Sequence, residues 1–307
     1  MLLSMKTLLD VAKEKSFCVP APTVWSLETA EAAYEVGRKC KTPLVLMVWD
    51  DNTEEWIEKI GKTVQLVDQK YPDVPCALIL DHGQSFRSCM TALRAGYTTV
   101  MADYSMLPFE KNIAAVRKIA EAAHAMHVAV EAELGHVGEG SEYDTTRDSG
   151  LTDPAQAVEF VQRTGCDMLA VSVGTSHGTY KGEPKLDFKL LETLNQLVDV
   201  PLVLHGGSGT GDDNLRKAIS TGIQKINLCT DLFKGYEKAV REAAKVPGNR
   251  FMAMYSAGAC GYREVLEHYV NVFGSAGCSS YFAPYLFVSE EKKVNNINEK
   301  EEFSLTL

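Results

Sequence analysis

Three histidines of this 307-residue chain share one local setting. His82, His177 and His205 each close a short apolar segment, namely CALILDH, MLAVSVGTSH and PLVLHGG. Three imidazoles that meet with one coordination position left open form the ligand set of a catalytic zinc site. Nitrogen ligands of this kind suit Zn²⁺, Co²⁺ or Fe²⁺ better than Mg²⁺. A single histidine of this kind is more simply explained as a hydrogen-bonded core residue, so the prediction depends on the three segment ends meeting in space.

Acidic and amide side chains stand at the ends of other apolar segments. Asp81 precedes His82, Asp103 follows TTVMA, Glu133 follows VAVEA, and Asn227 follows QKI. A nearby cation keeps a carboxylate ionised near neutral pH, and an ionised carboxylate can take a proton from a substrate hydroxyl. The position of Asp81 beside a candidate ligand therefore indicates a general acid/base.

The elements that must bring these residues together alternate along the chain. Apolar, strand-like segments are followed by helical patterns such as SLETAEAAYEVGRKC and DPAQAVEFVQRTG. Eight such units predict an α/β fold, a (β/α)₈ TIM barrel, whose carboxyl-end mouth gathers the ends of all strands. An open doubly wound sheet is the alternative, but no GxGxxG follows the first strand. The predicted strands are SFCVPA, TPLVLMVW, CALILDH, TTVMADYS, VAVEAELG, MLAVSVGTSH, PLVLHGG and KINLCT.

Glycine-rich turns follow the last predicted strands. GTSHGTYK, HGGSG and NLCT offer backbone N–H groups, and Lys181 offers a positive charge. Phosphate sites in barrels recur in the loops after strands seven and eight. The sequence therefore predicts a phosphate pocket beside the histidines.

Composition restricts the partners and the compartment. A net charge of −10 disfavours nucleic acid and anionic membranes as partners. No apolar run approaches the roughly 20 residues of a membrane span. Eight cysteines without CxxC pairs are typical of reduced thiols in the cytoplasm. We expect one barrel domain over residues 1–278 and a C-terminal extension with a polar tail over 279–307.

Taken together, the motifs resemble the class II, zinc-dependent ketose-bisphosphate aldolases of the fructose- and tagatose-bisphosphate type. The resemblance runs in order over about residues 6–278, through LDHGQSF, VEAELG, GTSHGTYKGEPKLDF, PLVLHGGSG, INLCT and HYVNVFGSAG. It implies reversible cleavage of a phosphorylated ketose to dihydroxyacetone phosphate and an aldehyde, through a zinc-stabilised enediolate. It also implies a cytoplasmic enzyme of carbohydrate metabolism, such as glycolysis, that assembles as a homodimer or homotetramer.

The resemblance also assigns roles to residues. It makes His82, His177 and His205 the zinc ligands, and Asp81 the acid/base for the C4 hydroxyl. Asp103 and Glu133 become alternative or secondary metal contacts, which admits a second divalent or a monovalent cation. Either Glu139 or Glu142, on the loop GHVGEGSEYDTTRDSG, removes the α-proton of the ketone. The residues implied for dihydroxyacetone phosphate are Gly178, Lys181, Gly206, Gly207, Ser208, Asn227 and Thr230.

The chain departs from this family mainly on the aldehyde side. The positions that differ are Ala21–Thr23, Trp49 with Asp50, Tyr104 with Met106, and Cys229. We therefore hypothesise an aldehyde other than glyceraldehyde 3-phosphate.

Two alternatives belong to other classes. A Schiff-base aldolase would use Lys225, which lies two residues before Asn227 and so on the same strand face. A catalytically silent metal-binding barrel would serve assembly or ligand sensing. Chelation, borohydride trapping and a substrate assay distinguish these cases.

Overall fold

Eight parallel strands frame the computed structural model, which describes residues 2–143, 148, 150–248 and 250–285. They pair in the order β1-β8-β7-β6-β5-β4-β3-β2. A parallel bridge between Thr23 and Met47, with the amide of Val24 donating to the Met47 carbonyl at 2.9 Å, joins β1 to β2. The predicted (β/α)₈ TIM barrel is confirmed. The strands are β1 (Val19–Pro22), β2 (Leu44–Trp49), β3 (Cys76–Gly83), β4 (Thr99–Ala102), β5 (Ala129–Leu134), β6 (Met168–Val171), β7 (Leu202–Leu204) and β8 (Ile223–Leu228).

Most of the helices lie outside the barrel, and several begin at side-chain caps. Ser26 accepts from the Thr29 amide in a capping box, and Asp153 caps a helix that opens on Pro154. The helices are α1 (Met5–Lys15), α2 (Leu27–Cys40), α3 (Glu54–Asp68), α4 (Phe86–Arg94), α5 (Phe109–His124), α6 (Pro154–Thr164), α7 (Phe188–Leu197), α8 (Asp212–Thr221), α9 (Thr230–Ala244) and α10 (Phe251–Val272). Short 3₁₀ turns cover Gly140–Glu142 and Cys278–Phe282.

Helix α1 closes the amino end of the barrel. Met5, Leu8 and Leu9 are fully buried and pack with the strand residues that point into the barrel. Burying each such side chain contributes about 1.5–3 kcal/mol. The barrel is thus filled and sealed from below, which leaves the carboxyl-end mouth for the site.

Phe282, in the first residues of the predicted C-terminal extension, is also buried in this lower core. The domain boundary at 278 stays a prediction, and the polar tail from 286 onward lies outside the described residues. Among the described residues, no helix combines the length and apolarity needed to span a membrane.

Candidate active site

A distortion at the end of β3 aims His82 across the mouth. The register between β3 and β4 shifts between Leu80 and Gly83, and His82 has a φ of 49°. Positive φ is rare outside glycine, and bulges beside active sites redirect side chains. The imidazole Nδ1 then lies 2.6 Å from Oδ2 of Asp103. Asp103 therefore fixes the orientation of the His82 ring.

The three predicted histidine ligands converge. The ring centroid of His82 lies 5.0 Å from that of His177 and 4.7 Å from that of His205, and the last two are 5.7 Å apart. One nitrogen from each ring lies within 4.8 Å of the other two. A second group, made by His82, Asp103 and Glu133, satisfies the same criterion. The predicted meeting of the three strand ends is therefore present in the structure.

Unpartnered polar atoms test whether these residues fit a metal. Nε2 of His177 and Oε2 of Glu133 are buried and accept or donate no hydrogen bond among the described residues. A buried polar atom without a partner costs about 1–3 kcal/mol. Each atom belongs to one of the two candidate groups, and a cation in that group would satisfy it. Imidazole and carboxylate are suitable donors for a divalent transition metal. The residues present therefore fit a metal ion.

Burial and the charges of neighbouring groups shift the pKa values of several side chains in this site. Although burial opposes it, the charges of Asp81 and Asp103 raise the pKa of His82 to about 10. Burial and the neighbouring rings of His82 and His205 lower the pKa of His177 to about 3. Burial, together with the charge of Asp103, raises the pKa of Glu133 to about 8. Without a metal, these groups favour the cationic form of His82, in which both ring nitrogens are protonated. A metal ion that binds this ring has to displace one of the two protons.

His205 is held from below by a buried ion pair. Its Nε2 lies 3.0 Å from Oε1 of Glu131, and Oε2 of Glu131 accepts from Nζ of Lys225 at 2.8 Å. All three side chains are 0% exposed. A carboxylate on the far nitrogen of a ligating imidazole fixes its tautomer and its orientation.

This placement contradicts the Schiff-base alternative. Lys225 lies inside the barrel, paired with Glu131, and does not line the mouth. A nucleophilic lysine must reach the substrate carbonyl with a neutral amine. The proposed use of Lys225 as that nucleophile is therefore wrong, and its role is to hold Glu131.

We expect Lys225→Met to lower the free energy of unfolding by about 3–5 kcal/mol, because it leaves a buried carboxylate without its cation. Because Glu131 then holds His205 less firmly, metal affinity falls about 10–100-fold. Chemical denaturation and chelator competition measure the two effects. The double variant Glu131→Gln/Lys225→Met removes the unpaired charge and should recover most of the stability. An unchanged metal affinity in Lys225→Met would contradict the role given to the pair.

A cavity of about 470 Å³ opens above the histidines. Glu133 and His205 lie below its lining as buried residues, while Lys181 and Glu142 are exposed and lie outside the lining. The proton-abstracting and phosphate-binding roles of those two exposed residues stay predictions. The predicted site residues that line the cavity are Asp81, His82, Asp103, Glu139, His177, Gly178, Gly206, Gly207, Ser208, Asn227 and Thr230.

The β7 and β8 loops offer a candidate anion site in the cavity. Oγ of Ser208 accepts from the amides of Cys229 at 3.3 Å and Asp231 at 3.1 Å, so its hydrogen remains for a ligand. Gly206 has a φ of 70°, and a Cβ there would collide with the Ser176 carbonyl. The amino terminus of α9 begins at Thr230. Free N–H groups and the helix dipole at such an end favour phosphate.

Asn227 connects this anion site to the predicted acid/base. Its Nδ2 donates to Oδ1 of Asp81 at 3.1 Å, while its own Oδ1 is buried without a partner among the described residues. Asp81 is 8% exposed, so it reaches the cavity but is largely shielded from solvent. The amide therefore orients Asp81 and offers an acceptor to a substrate hydroxyl.

The fold and the site define a (β/α)₈ barrel with a candidate metal site and a candidate anion site at its mouth. A profile of the family described as class-II fructose-bisphosphate aldolase matches residues 3–278. The chain is 41% identical over 246 residues to the probable fructose-bisphosphate aldolase of Bacillus subtilis, covering 78% of this chain and 86% of that protein. The same identity and length relate it to the fructose-bisphosphate aldolase of Staphylococcus aureus, with 85% of that protein covered.

Solved structures agree with this match. The YdjI aldolase of Escherichia coli K12 superposes with a TM-score of 0.81 at 32% identity, over 91% of this chain and 100% of that one. The chain belongs to the class II fructose-bisphosphate aldolase family. It is accordingly a carbon–carbon lyase, a metal-dependent aldolase that acts on phosphorylated ketoses.

Proposed function

We propose that the protein is a zinc enzyme that reversibly cleaves a ketose phosphate to dihydroxyacetone phosphate and an aldehyde. The observation that supports this most is the meeting of His82, His177 and His205 beside Asp81 and an anion site. A bound divalent cation supplies the electrophile that polarises the ketose carbonyl and stabilises the charge released when the bond breaks.

The chain's own residues carry the proton transfers. Asp81, oriented by Asn227, takes the proton of the C4 hydroxyl as the C3–C4 bond breaks. Ser208 and the α9 amino terminus hold the phosphate, which fixes the ketone end of the substrate. These contacts hold the substrate so that its C3–C4 bond lies between the bound phosphate and Asp81.

The loop after β5 returns a proton to the carbon of dihydroxyacetone phosphate. Glu139 lines the cavity, and its backbone bridges to His177, while Glu142 lies one 3₁₀ turn further along. The two remain alternatives, and separate Glu139→Gln and Glu142→Gln variants identify the one that exchanges the α-proton.

Assembly and location belong to the same proposal. We propose a cytoplasmic enzyme, because all eight cysteines are free. We propose a homodimer or homotetramer acting on a small phosphorylated sugar, with neither nucleic acid nor membrane as a partner.

Chelation tests the metal dependence without knowledge of the aldehyde. Dihydroxyacetone phosphate alone should exchange its hydroxymethyl proton with solvent deuterium, and NMR follows this exchange. We expect a chelator to abolish the exchange and Zn²⁺ to restore it, while borohydride added with the substrate leaves the protein mass unchanged. Exchange that persists in metal-free protein would refute the assignment, and a bound metal with no exchange would revive the silent barrel.

A further inference from the structure

The strand next to the acid/base, β2, forms one wall of the cavity. The register of β2 and β3 pairs Trp49 with Asp81, and the Asp50 amide donates to the Asp81 carbonyl at 3.0 Å. Trp49, Asp50 and Gln84 all line the cavity on this side. Because the proposed function assigns Asp81 to the C4 hydroxyl, these residues lie beside the position of C4 and of the carbons that follow it.

The charge of this wall disfavours a second phosphate, because Asp50 is the one ionisable side chain among Trp49, Asp50 and Gln84. Among the described residues, the lining of the whole cavity contains four carboxylates and no lysine or arginine. Asp50 is 7% exposed, and its oxygens accept from the amides of Asn52 at 2.8 Å and Gln84 at 3.1 Å. These bonds fix the carboxylate in place, so it cannot turn away from an approaching anion. Like charges placed this close repel strongly in a partly buried site.

The same wall has the groups that bind a neutral sugar. The centroid of the Trp49 ring lies 4.7 Å from that of Trp56 and 6.2 Å from that of Phe233. The indole N–H of Trp56 also donates to the Trp49 carbonyl at 3.1 Å. This packing makes the indole a rigid apolar surface for the C–H face of a carbon chain. The remaining lone pairs of Asp50 accept hydroxyl hydrogens, and the side-chain amide of Gln84 both donates and accepts.

We propose that the aldehyde is an uncharged polyhydroxy aldehyde without phosphate, and that Trp49, Asp50 and Gln84 select it. The cleaved substrate is then a ketose with a phosphate on C1 only. In cleavage, the C4 hydroxyl gives its proton to Asp81, the C3–C4 bond breaks, and its electron pair stays with the ketone fragment. This inference rests on the proposed function.

The test measures condensation of dihydroxyacetone phosphate with aldehydes matched in chain length. The pairs are D-erythrose against D-erythrose 4-phosphate, and D-glyceraldehyde against D-glyceraldehyde 3-phosphate. We expect kcat/KM to be at least about tenfold higher for the unphosphorylated member of each pair. Equal values, or higher values for the phosphorylated members, overturn the inference whatever the variants show.

Two variants test whether the charge of Asp50 causes the preference for unphosphorylated aldehydes. Asp50→Asn keeps the size of the side chain and removes the charge, so the ratio of kcat/KM should shift toward the phosphorylated aldehydes by about five- to tenfold. Asp51→Asn is the matched control, because Asp51 is exposed and outside the lining, and it should leave the ratio unchanged. An Asp50→Asn ratio equal to that of the wild type overturns the role of Asp50.

Proton exchange separates this inference from the proposed function. If dihydroxyacetone phosphate exchanges its proton but the phosphorylated aldehydes are preferred, the aldolase stands and the uncharged aldehyde is wrong. If no exchange occurs in the zinc-loaded protein, the proposed function fails and the inference fails with it.

Discussion

The His177→Ala variant is expected to lose its metal and at least about a thousandfold in cleavage rate. A catalytic cation contributes several kcal/mol to stabilising the charge of the transition state, and each 1.4 kcal/mol is tenfold in rate. His177 is the most informative of the predicted ligands to remove, because its Nε2 has no hydrogen-bond partner in the described structure. Its loss therefore removes a ligand without breaking a hydrogen bond at that atom.

Two controls separate metal loss from unfolding. The metal-free variant should unfold within about 1 kcal/mol of the metal-free parent, as measured in denaturant. His136→Ala is the matched variant, since His136 also lines the cavity but bonds through Nδ1 to Ser105 at 3.1 Å. It should retain a full equivalent of metal. Full metal content in His177→Ala would contradict the ligand set.

The Asp81→Asn variant is expected to lower kcat by about 10²–10⁴-fold, the range of general acid–base catalysis. Asparagine keeps the shape and can still accept the hydrogen bond from Asn227, but it cannot take the hydroxyl proton. Steady-state cleavage of the best ketose phosphate measures the effect. A loss smaller than about tenfold would mean that another group is the base.

The same variant separates two proton transfers. Removal of the α-proton from dihydroxyacetone phosphate does not involve the C4 hydroxyl, so Asp81→Asn should still exchange that proton with deuterium. Its metal content should match that of the parent, because Asp81 is not one of the grouped ligands. Loss of exchange together with cleavage would indicate that Asp81 acts through the metal site.

The barrel could be predicted from the eight alternating strand and helix patterns. The place of the active site could be predicted because its polar residues stand at the ends of the strands. Parallel strands of a closed barrel share one mouth, so His82, His177 and His205 had to meet once eight strands were recognised. The orientation of His82 was not predictable in this way. It depends on a register shift and a positive φ that no residue type in LDHGQSF signals.

The buried pair Glu131–Lys225 shows what the sequence analysis missed. Side chains two residues apart on a strand share a face, so Glu131 points inward below Glu133, as Lys225 does below Asn227. This alternation was available in the sequence and could have predicted the ion pair. Lys225 was instead considered as a nucleophile, because depth within the barrel cannot be read from spacing alone.

The positions of loop residues follow least directly from the sequence. Lys181 follows His177 by four residues and was expected at the phosphate, yet the structure leaves it exposed and outside the lining. Gln84 was not singled out, although its backbone N–H donates to Oδ2 of Asp50 and the residue lines the cavity. Loop conformation depends on tertiary contacts that have no short sequence signature.

Anomalous X-ray diffraction at the zinc edge, from crystals of the zinc-loaded protein, tests the metal site most directly. One strong peak should lie about 2.0–2.1 Å from a nitrogen of each of His82, His177 and His205, with an open position toward the cavity. A peak at other residues, or three imidazoles turned away from a common point in the loaded protein, would contradict the site and the cleavage chemistry assigned to it.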